Sequence, residues 1–262
     1  MVMINYFQDV NPDWKEEKFN INKRNDPEEK SKKLYEDLVK QLLHKKKLPS
    51  GKVIRIEEPA FCVHKNQYYE TRIHIISGDK LLYRIGLGSD YIGPSINWAM
   101  EINDITKEEI INFIEMSRTI GGHIFFPRWI KDYTTGEFHR GLSINNAKGG
   151  REGFYDRFDL FLFDLELWYG GKKCKLKEVY DKNKIWLNEF EKFSEFVDFF
   201  KLEDFTNADK TLIKDLLSYD KERNTFNYLN NNTASIPSKK DSYLKYANGC
   251  NFIISLRNNN MI

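Results

Sequence analysis

One block of the chain, residues 121–159, concentrates side chains that could bind an anion or take part in catalysis. Two glycines, Gly149 and Gly150, lie inside this block just before a predicted apolar helix. Because the free amides of a helix N-terminus attract anions, cationic and amide side chains beside that helix predict a site for phosphate or another anion. The candidate anion- or substrate-binding residues are Asn145, Lys148, Arg151, Asp156 and Arg157.

Two histidines of the same block are candidate catalytic residues. A metal-free ribonuclease often uses two general acid–base groups and a cation near the phosphate, and His123 and His139 could supply the first two. A hairpin is predicted between them, however, and roughly six residues at about 3.3 Å each would separate the imidazoles by about 20 Å. The spacing therefore favours a cluster of His123 with Asn145, Lys148 and Arg157.

The arginine at the start of the predicted apolar helix has a second interpretation. An unpaired buried charge is costly, so Arg157 could instead form a salt bridge with Asp156, Asp159 or another acid and fix the helix in place. The two aspartates are three residues apart, a spacing that puts them on one helix face, and acids suit the positive end of a helix. Both interpretations remain open from the sequence.

Several other site chemistries lack their sequence signatures. Glycines at 86, 88 and 93 have the spacing GxGxxxxG, which is neither a P-loop nor the dinucleotide-binding fingerprint. The 3 cysteines form no CxxC pair, which argues against zinc ribbons and thioredoxin-type chemistry. The nearest match to a restriction-type nuclease is Glu57 or Glu58 followed by Glu70-Thr71-Arg72, where arginine replaces the usual lysine. We therefore expect no metal and no cofactor.

The composition indicates a folded protein of a reducing compartment. Its 262 residues carry 41 Lys and Arg against 39 Asp and Glu, which excludes a histone-like polycation. No apolar run reaches the roughly 18 residues that a membrane span needs, and residues 1–13 show no signal-peptide pattern. An odd, sparse cysteine count fits a reducing compartment. We expect a cytoplasmic protein with no membrane partner, and the abundance of Asn, Lys and Ile indicates a bacterial or phage source.

The order of the predicted elements indicates an α+β fold, with a small antiparallel sheet in the N-terminal half packed against a mainly helical C-terminal half. We expect residues 1–262 to form a single domain. The alternation of Ile73 and Ile75 with Arg72 and His74 is typical of a half-buried strand. Strands are predicted at 53–56, 68–76 and 81–85, and a hairpin at 123–144 with a break at Pro127.

Helices are predicted by caps and by apolar periodicity. Thr106-Lys107-Glu108-Glu109 forms a capping box at the start of one helix, and Thr206-Asn207-Ala208-Asp209 resembles another cap. A helix with a buried aromatic face is predicted from the spacing of Trp186, Phe190, Phe193, Val197 and Phe200. Further helices are predicted from Asp26, from about Gly153 to Tyr169, and from Ser242 to about Asn258.

Short motifs along the chain also form a recognisable set. They are Leu48-Pro49-Ser50-Gly51, Gly121-Gly122 with Phe126-Pro127, Ser143-Ile144-Asn145 with Ala147-Lys148-Gly149, Asp156-Arg157-Phe158-Asp159-Leu160, Phe196-Val197-Asp198-Phe199-Phe200 and Ile236-Pro237. Together they resemble an uncharacterised bacterial family, a domain of unknown function. Lys148 stands where relatives usually carry arginine, and Glu166-Leu167 where they tend to carry paired basic residues. The resemblance covers most of the chain and implies one unit, but no activity.

Two functions therefore remain open from the sequence. The first is a bacterial or phage cytoplasmic protein that acts on RNA or a nucleotide, as a toxin or phage-defence nuclease would. The second is a non-catalytic binding or structural module with an anion- or protein-binding cleft, in which the block around Arg157 serves to hold the fold together.

Overall fold

In the described part of the chain, five strands form one antiparallel sheet in the order β1-β2-β3-β4-β5. The computed structural model describes residues 43, 47–63, 69–92, 105–117, 120–140, 157–231, 237 and 239–260. The sheet lies in the N-terminal half and most helices follow it, so the α+β prediction is confirmed. The strands are β1 Val53–Val63, β2 Tyr69–Ser77, β3 Lys80–Tyr91, β4 His123–Asp132 and β5 Phe138–Arg140.

The helices lie mainly after the sheet. They are α1 Lys107–Ser117, α2 Phe158–Tyr169, α3 Lys177–Lys182, α4 Lys184–Leu187, α5 Phe193–Phe200 and α6 Lys240–Asn260. Short 3-10 turns occupy Ile120–Gly122, Glu203–Phe205 and Leu216–Ser218. The predicted helix from Asp26 falls outside the described residues except at its end, where Leu43 is helical and buried.

One face of the sheet is buried and the other is open to solvent or half-buried. Ile73, Ile85 and Ile130 are register partners across β2, β3 and β4 and are all 0% exposed. Arg72 and His74, which alternate with the buried isoleucines of β2, are only partly buried. The alternation predicted for this strand is therefore confirmed, and it defines an inner and an outer face.

The capping box of α1 forms as predicted. The backbone N–H of Thr106 donates to Glu109 Oε2 at 2.8 Å, and the N–H of Glu109 lies 3.4 Å from Thr106 Oγ1. Ile105 and Ile110, which flank the box, are both 0% exposed. Local sequence chemistry is sufficient to place this helix start because both partners lie within four residues.

The sheet is longer than predicted where the chain carries glycine and proline. β3 continues past residue 85 to Tyr91, because its second half pairs with the first half of β4. Pro127 does not break β4. The pairing register shifts between Gly86 and Leu87, which lie opposite Trp129 and Pro127. A proline can remain in a sheet at such a bulge.

Three helix predictions need correction. α2 begins at Phe158, later than the predicted start near Gly153, with Arg157 as its N-cap residue. The predicted aromatic helix is divided into α4 and α5 by an irregular segment that contains Glu189. No helix begins at 206–209, because the Asn207 side chain instead accepts hydrogen bonds from the N–H groups of Thr211 and Leu212 and closes a turn.

The aromatic residues predicted for the core are nevertheless buried. Phe190, Phe193, Val197 and Phe200 are 1%, 5%, 0% and 2% exposed. The buried hydrophobic residues of the sheet and of the helices belong to one cluster, which extends from Leu43 to α6. The spacing of these residues therefore predicts their burial correctly, even though the helix that carries them is interrupted.

α6 is fastened to the rest of the fold by a buried arginine that the sequence reasoning missed. The Arg257 side chain is 0% exposed and donates hydrogen bonds to the carbonyls of Lys201 at 2.8 Å, Gly121 at 2.6 Å and Phe200 at 2.9 Å. The Lys201 carbonyl lies just after α5, and the Gly121 carbonyl lies just before β4. Burial lowers the pKa of Arg257, against the opposing effect of the negative charges of Glu203 and Asp204.

The glycine pair before β4 is explained by the same contact. The N–H of Gly121 donates to Asn258 Oδ1 at 2.7 Å. A Cβ on Gly121 would lie 2.7 Å from that oxygen and 2.8 Å from the carbonyl oxygen of Ile254, closer than van der Waals contact allows. Gly121 therefore permits the backbone to touch α6, which gives the Gly121-Gly122 motif a structural role.

Candidate functional site

The residues predicted to bind an anion are only partly within the described chain. Asn145, Lys148, Arg151 and Asp156 lie outside the described residues. Arg157 is described with its side chain. Of the predicted cluster, the structure describes the side chain of Arg157 and the backbone of the two histidines.

The two candidate catalytic histidines lie on neighbouring strands and far apart along the strand direction. His123 is the first residue of β4 and pairs with Tyr91 at the end of β3. His139 lies in β5 opposite Ile130. The backbone positions are thus separated by seven residues of β4, about 23 Å at 3.3 Å per residue. The register agrees with the separation expected from the hairpin.

Arg157 is held by two carboxylates. Its side chain is 3% exposed, and Nε and Nη2 donate to Oδ1 and Oδ2 of Asp159 at 2.9 and 2.7 Å. Nη2 also lies 2.9 Å from Oδ1 of Asp215. A bidentate pair of this kind is among the strongest hydrogen-bonded contacts in proteins. Asp159 was a candidate partner from the sequence, whereas Asp215 is 58 residues away and no spacing rule points to it.

The aspartate at the centre of this network has further partners. Asp159 Oδ2 accepts a hydrogen bond from the N–H of Leu216 at 3.0 Å, and Oδ1 lies 3.4 Å from the Tyr246 hydroxyl. That hydroxyl accepts a hydrogen bond from the N–H of Phe158 at 3.0 Å. The Arg157 guanidinium also lies 5.0 Å from the centre of the Tyr246 ring. The network therefore joins the start of α2 to α6 and to the 3-10 turn at 216.

The pKa shifts reflect both the attraction between Arg157 and Asp159 and the repulsion between Asp159 and Asp215. Burial alone would lower the pKa of Arg157, but the hydrogen bonds and charge of Asp159 raise it above its ordinary value. Burial and the charge of Asp159 raise the pKa of Asp215, against the opposing effect of Arg157. A phosphate at Arg157 would compete with both carboxylates. The pairing of Arg157 with buried acids is the arrangement expected if Arg157 holds the helix in place.

A second buried carboxylate joins the sheet to the helical half. Glu189 is 2% exposed, accepts hydrogen bonds from the hydroxyls of Ser50 and Tyr83, and lies 2.6 Å from Lys52 Nζ. Burial and the neighbouring Glu189 raise the pKa of Tyr83 well above its usual range, so Tyr83 remains a donor. The Leu48–Gly51 motif thus positions Ser50 to fasten the interrupted helix segment to the sheet.

The outer face of the sheet carries a row of basic side chains that the sequence reasoning missed. The basic side chains lie on β1 to β4, and the row ends at an aromatic residue on β5; each member is the register partner of the next. Directly opposite residues of antiparallel strands lie on the same face. From β1 to β5 the row is Arg55, His74, Arg84, Lys131 and Phe138.

A second row follows on the same face. Arg72 pairs with Gly86, Gly86 with Trp129, and Trp129 with Arg140. Neither of these two described rows contains an acidic residue at a paired position. Glu70 follows in the next position on β2, opposite Cys62, and Glu57 and Glu58 lie in the irregular part of β1 between Ile56 and Phe61. The basic character of the face is therefore concentrated where β2, β3 and β4 run side by side.

Two cations face each other directly in the first row. Arg84 of β3 is the partner of Lys131 of β4, and both side chains are half-buried. Lys131 Nζ donates to the carbonyl of Gly136 at 2.9 Å in the β4–β5 turn. Like charges directly opposite one another destabilise a strand pair.

Two aromatic rings lie beside the basic row. Trp129 and Phe138 stack with their ring centres 5.8 Å apart and an angle of 23° between the planes. The Arg84 guanidinium lies 5.9 Å from the centre of the Trp129 ring. Phe138 is 60% exposed, the highest value among the exposed large hydrophobic residues of the described chain. An exposed aromatic ring flanked by cations is a combination that suits nucleic-acid bases and phosphates.

The helical half contains an open cleft with a weaker basic character. Its volume is about 320 Å³, and it is lined by Tyr219, Lys221, Asp241, Leu244, Lys245 and Asn248. Two lysines here share the lining with an aspartate, unlike the two rows of the sheet. The cleft offers two cations, fewer than the sheet face, and they do not form an aligned row.

The structure is an α+β protein with a basic, aromatic sheet face, and comparison of its sequence identifies the group to which it belongs. The chain belongs to DUF6994, a family of unknown function, which matches residues 8–261. The expectation that the chain belongs to a family of unknown function is therefore confirmed. No curated protein and no solved structure matched the chain.

The described part of the chain lacks two further features. None of the helices there combines the length and apolar character needed to cross a membrane. Within the same residues, no group of three or more His, Cys, Asp or Glu side chains could hold a metal ion. The basic sheet face is thus the described feature that most directly suggests a ligand.

Proposed function

We propose that the protein binds RNA through the outer face of its sheet. The observation that carries this proposal is the cross-strand row of Arg55, His74, Arg84 and Lys131, with Arg72 in the neighbouring row. Neighbouring strands are about 4.8 Å apart, so the row extends about 14 Å from β1 to β4. A track of cations of this length can follow a phosphate backbone, which supplies most of the affinity in non-specific nucleic-acid binding.

Binding is favoured over cleavage by the surroundings of Arg157. The nuclease hypothesis uses this residue as the cation near the scissile phosphate, with His123 as an acid–base group. Asp159 and Asp215 already balance the Arg157 charge, which supports a non-catalytic role for the Asp156–Asp159 segment. Cleavage by His123 or His139, assisted by Asn145, Lys148 and Arg151, stays a prediction that an RNA-integrity assay can test.

The cellular setting is part of the same proposal. The low cysteine count of the sequence supports a reducing compartment, and two of the 3 cysteines, Cys174 and Cys250, are free thiols. RNA is abundant in the cytoplasm, where we place the protein. A toxin or phage-defence role would additionally require that RNA be degraded when the protein is present.

The proposal is tested by titrating a fluorescently labelled RNA of about 16 nucleotides, the upper site size of a single binding fold. The double variant Arg55→Ala/Arg84→Ala removes two cations of the row and should weaken binding roughly tenfold. The matched control is Lys221→Ala/Lys245→Ala, which makes the same change in net charge at the cleft of the helical half. Equal effects of the two double variants, or no binding by the wild type, would contradict the proposal.

A further inference from the structure

The aromatic pair on the sheet face is held in a fixed position by a glycine. The indole of Trp129 occupies the space directly above Gly86 on the neighbouring strand. A Cβ on Gly86 would lie 2.3 Å from Cε2 and Nε1 of that ring. Gly86 therefore provides the space in which the indole packs against β3, and the ring orientation is set by the backbone beneath it.

Phe138 forms the accessible end of this pair. Residues 131 and 138 are direct partners across β4 and β5, so Phe138 is the diagonal neighbour of Trp129 on the same face. Its ring is supported by Trp129 at 5.8 Å and yet is 60% exposed. A phenylalanine ring exposed to this extent gains little from burial in the fold, and its face is accessible to a ligand.

Two cationic side chains lie beside the aromatic pair. Arg84 lies 5.9 Å from the Trp129 ring centre, and Lys131 is the direct partner of both Arg84 and Phe138. A nucleotide placed here could stack its base on Phe138 while its phosphate reaches Lys131 and Arg84. In a double helix the faces of the bases are covered by neighbouring base pairs, so only an unpaired base can make this contact.

We infer that the ligand of this face is a single-stranded polynucleotide, with at least one base stacked on the Trp129–Phe138 pair. This inference rests on the proposed function and specifies the class of nucleic acid. Sequence-tolerant recognition follows, because every base has a π-face that can stack. The base faces and phosphates that are contacted occur in RNA and DNA alike, so a DNA strand of the same sequence should bind within a few-fold of RNA.

The test compares three labelled probes of about 16 nucleotides: an RNA strand without self-complementarity, its RNA duplex, and the DNA strand of the same sequence. Wild-type protein should bind both single strands more tightly than the duplex. Phe138→Ala should weaken single-strand binding roughly 5- to 100-fold, the range expected for the loss of one stacked base. The same variant should leave duplex binding unchanged, and Phe138→Tyr should retain single-strand affinity.

Tyr228→Ala is the matched control, because Tyr228 is an exposed aromatic residue of the helical half, at 44% exposure. A second readout is the quenching of tryptophan fluorescence by the RNA strand, which Trp129→Phe should abolish. Equal binding of strand and duplex with no effect of Phe138→Ala would overturn the inference, as would a strong preference between RNA and DNA. If the inference fails but Arg55→Ala/Arg84→Ala still weakens binding, RNA binding by the sheet face is retained without base stacking. Failure of every probe to bind would overturn the proposed function and this inference together.

Discussion

The guanidinium of Arg157 is paired with the carboxylate of Asp159 through two hydrogen bonds, of 2.9 and 2.7 Å. Both side chains are nearly inaccessible, at 3% and 0% exposure. The pair lies at the first turn of α2 and is bonded onward to Asp215 and Leu216. The Arg157–Asp159 pair is therefore part of the internal structure of the protein. The basic side chains of the sheet, in contrast, lie on its outer face.

Arg157→Ala should destabilise the protein by about 3–5 kcal/mol, because it leaves the Asp159 carboxylate buried without its counter-ion. Urea unfolding followed by circular dichroism measures this free energy. Arg223→Ala is the control, since Arg223 pairs with Asp220 at 3.1 Å on the surface and is 78% exposed; an exposed pair contributes at most about 1 kcal/mol. An Arg157→Ala protein of wild-type stability that has lost RNA binding would favour the anion-site interpretation instead.

Gly121→Ala should destabilise the contact between α6 and the start of β4. The added Cβ would lie 2.7–2.8 Å from atoms of Asn258 and Ile254, and overpacking of this kind costs about 1–3 kcal/mol. Gly170→Ala is the control, because a Cβ there would make ordinary contacts at 3.5–3.6 Å. Thermal unfolding of the two variants compares them directly, and equal melting temperatures would show that α6 can shift to accept the methyl group.

Phe193→Ala should cost about 3–5 kcal/mol, as expected for truncation of a buried phenylalanine. The side chain is 5% exposed and packs beside Tyr169 and Phe196. Phe138→Ala is the matched comparison, because the same substitution at a 60% exposed position should change stability by less than about 0.5 kcal/mol. An unchanged unfolding free energy for Phe193→Ala would contradict its assignment to the core.

The single-domain expectation predicts one cooperative unfolding transition. The buried hydrophobic cluster contains residues of the sheet, such as Ile73 and Ile130, together with residues of α5 and α6. If this cluster is one core, near-ultraviolet and far-ultraviolet circular dichroism should report the same denaturation midpoint. Two separated transitions would instead indicate that the sheet and the helices unfold independently.

Features determined by nearby residues could be predicted from the sequence. The capping box of Thr106 and Glu109 and the alternation of Ile73 with His74 depend on contacts or periods within a few residues, and the structure contains both. Asn207 shows where such local reasoning fails. Its side chain is equally suited to cap a helix or to close a turn, and the antiparallel bridge between Thr206 and Ile213 accompanies the turn.

The site could be predicted less well because its members meet only through the fold. Asp215 reaches Arg157 across 58 residues, and the alignment of Arg84 with Lys131 depends on the register of two strands separated by α1. A shift of one residue would place one of these cations on the buried face. The sequence shows which basic residues each strand carries, but only the register of strand pairing shows that these residues form a row.

The salt dependence of RNA binding tests the proposed role of the sheet face most directly. The logarithm of the binding constant should fall linearly with the logarithm of salt concentration between about 50 and 200 mM, with a slope of about −0.7 for each phosphate neutralised on a single strand. Arg55→Ala/Arg84→Ala should therefore make the slope shallower by about 1.4, while Lys221→Ala/Lys245→Ala should leave it unchanged. A wild-type slope retained by the Arg55→Ala/Arg84→Ala protein would contradict the binding of RNA phosphates by this face.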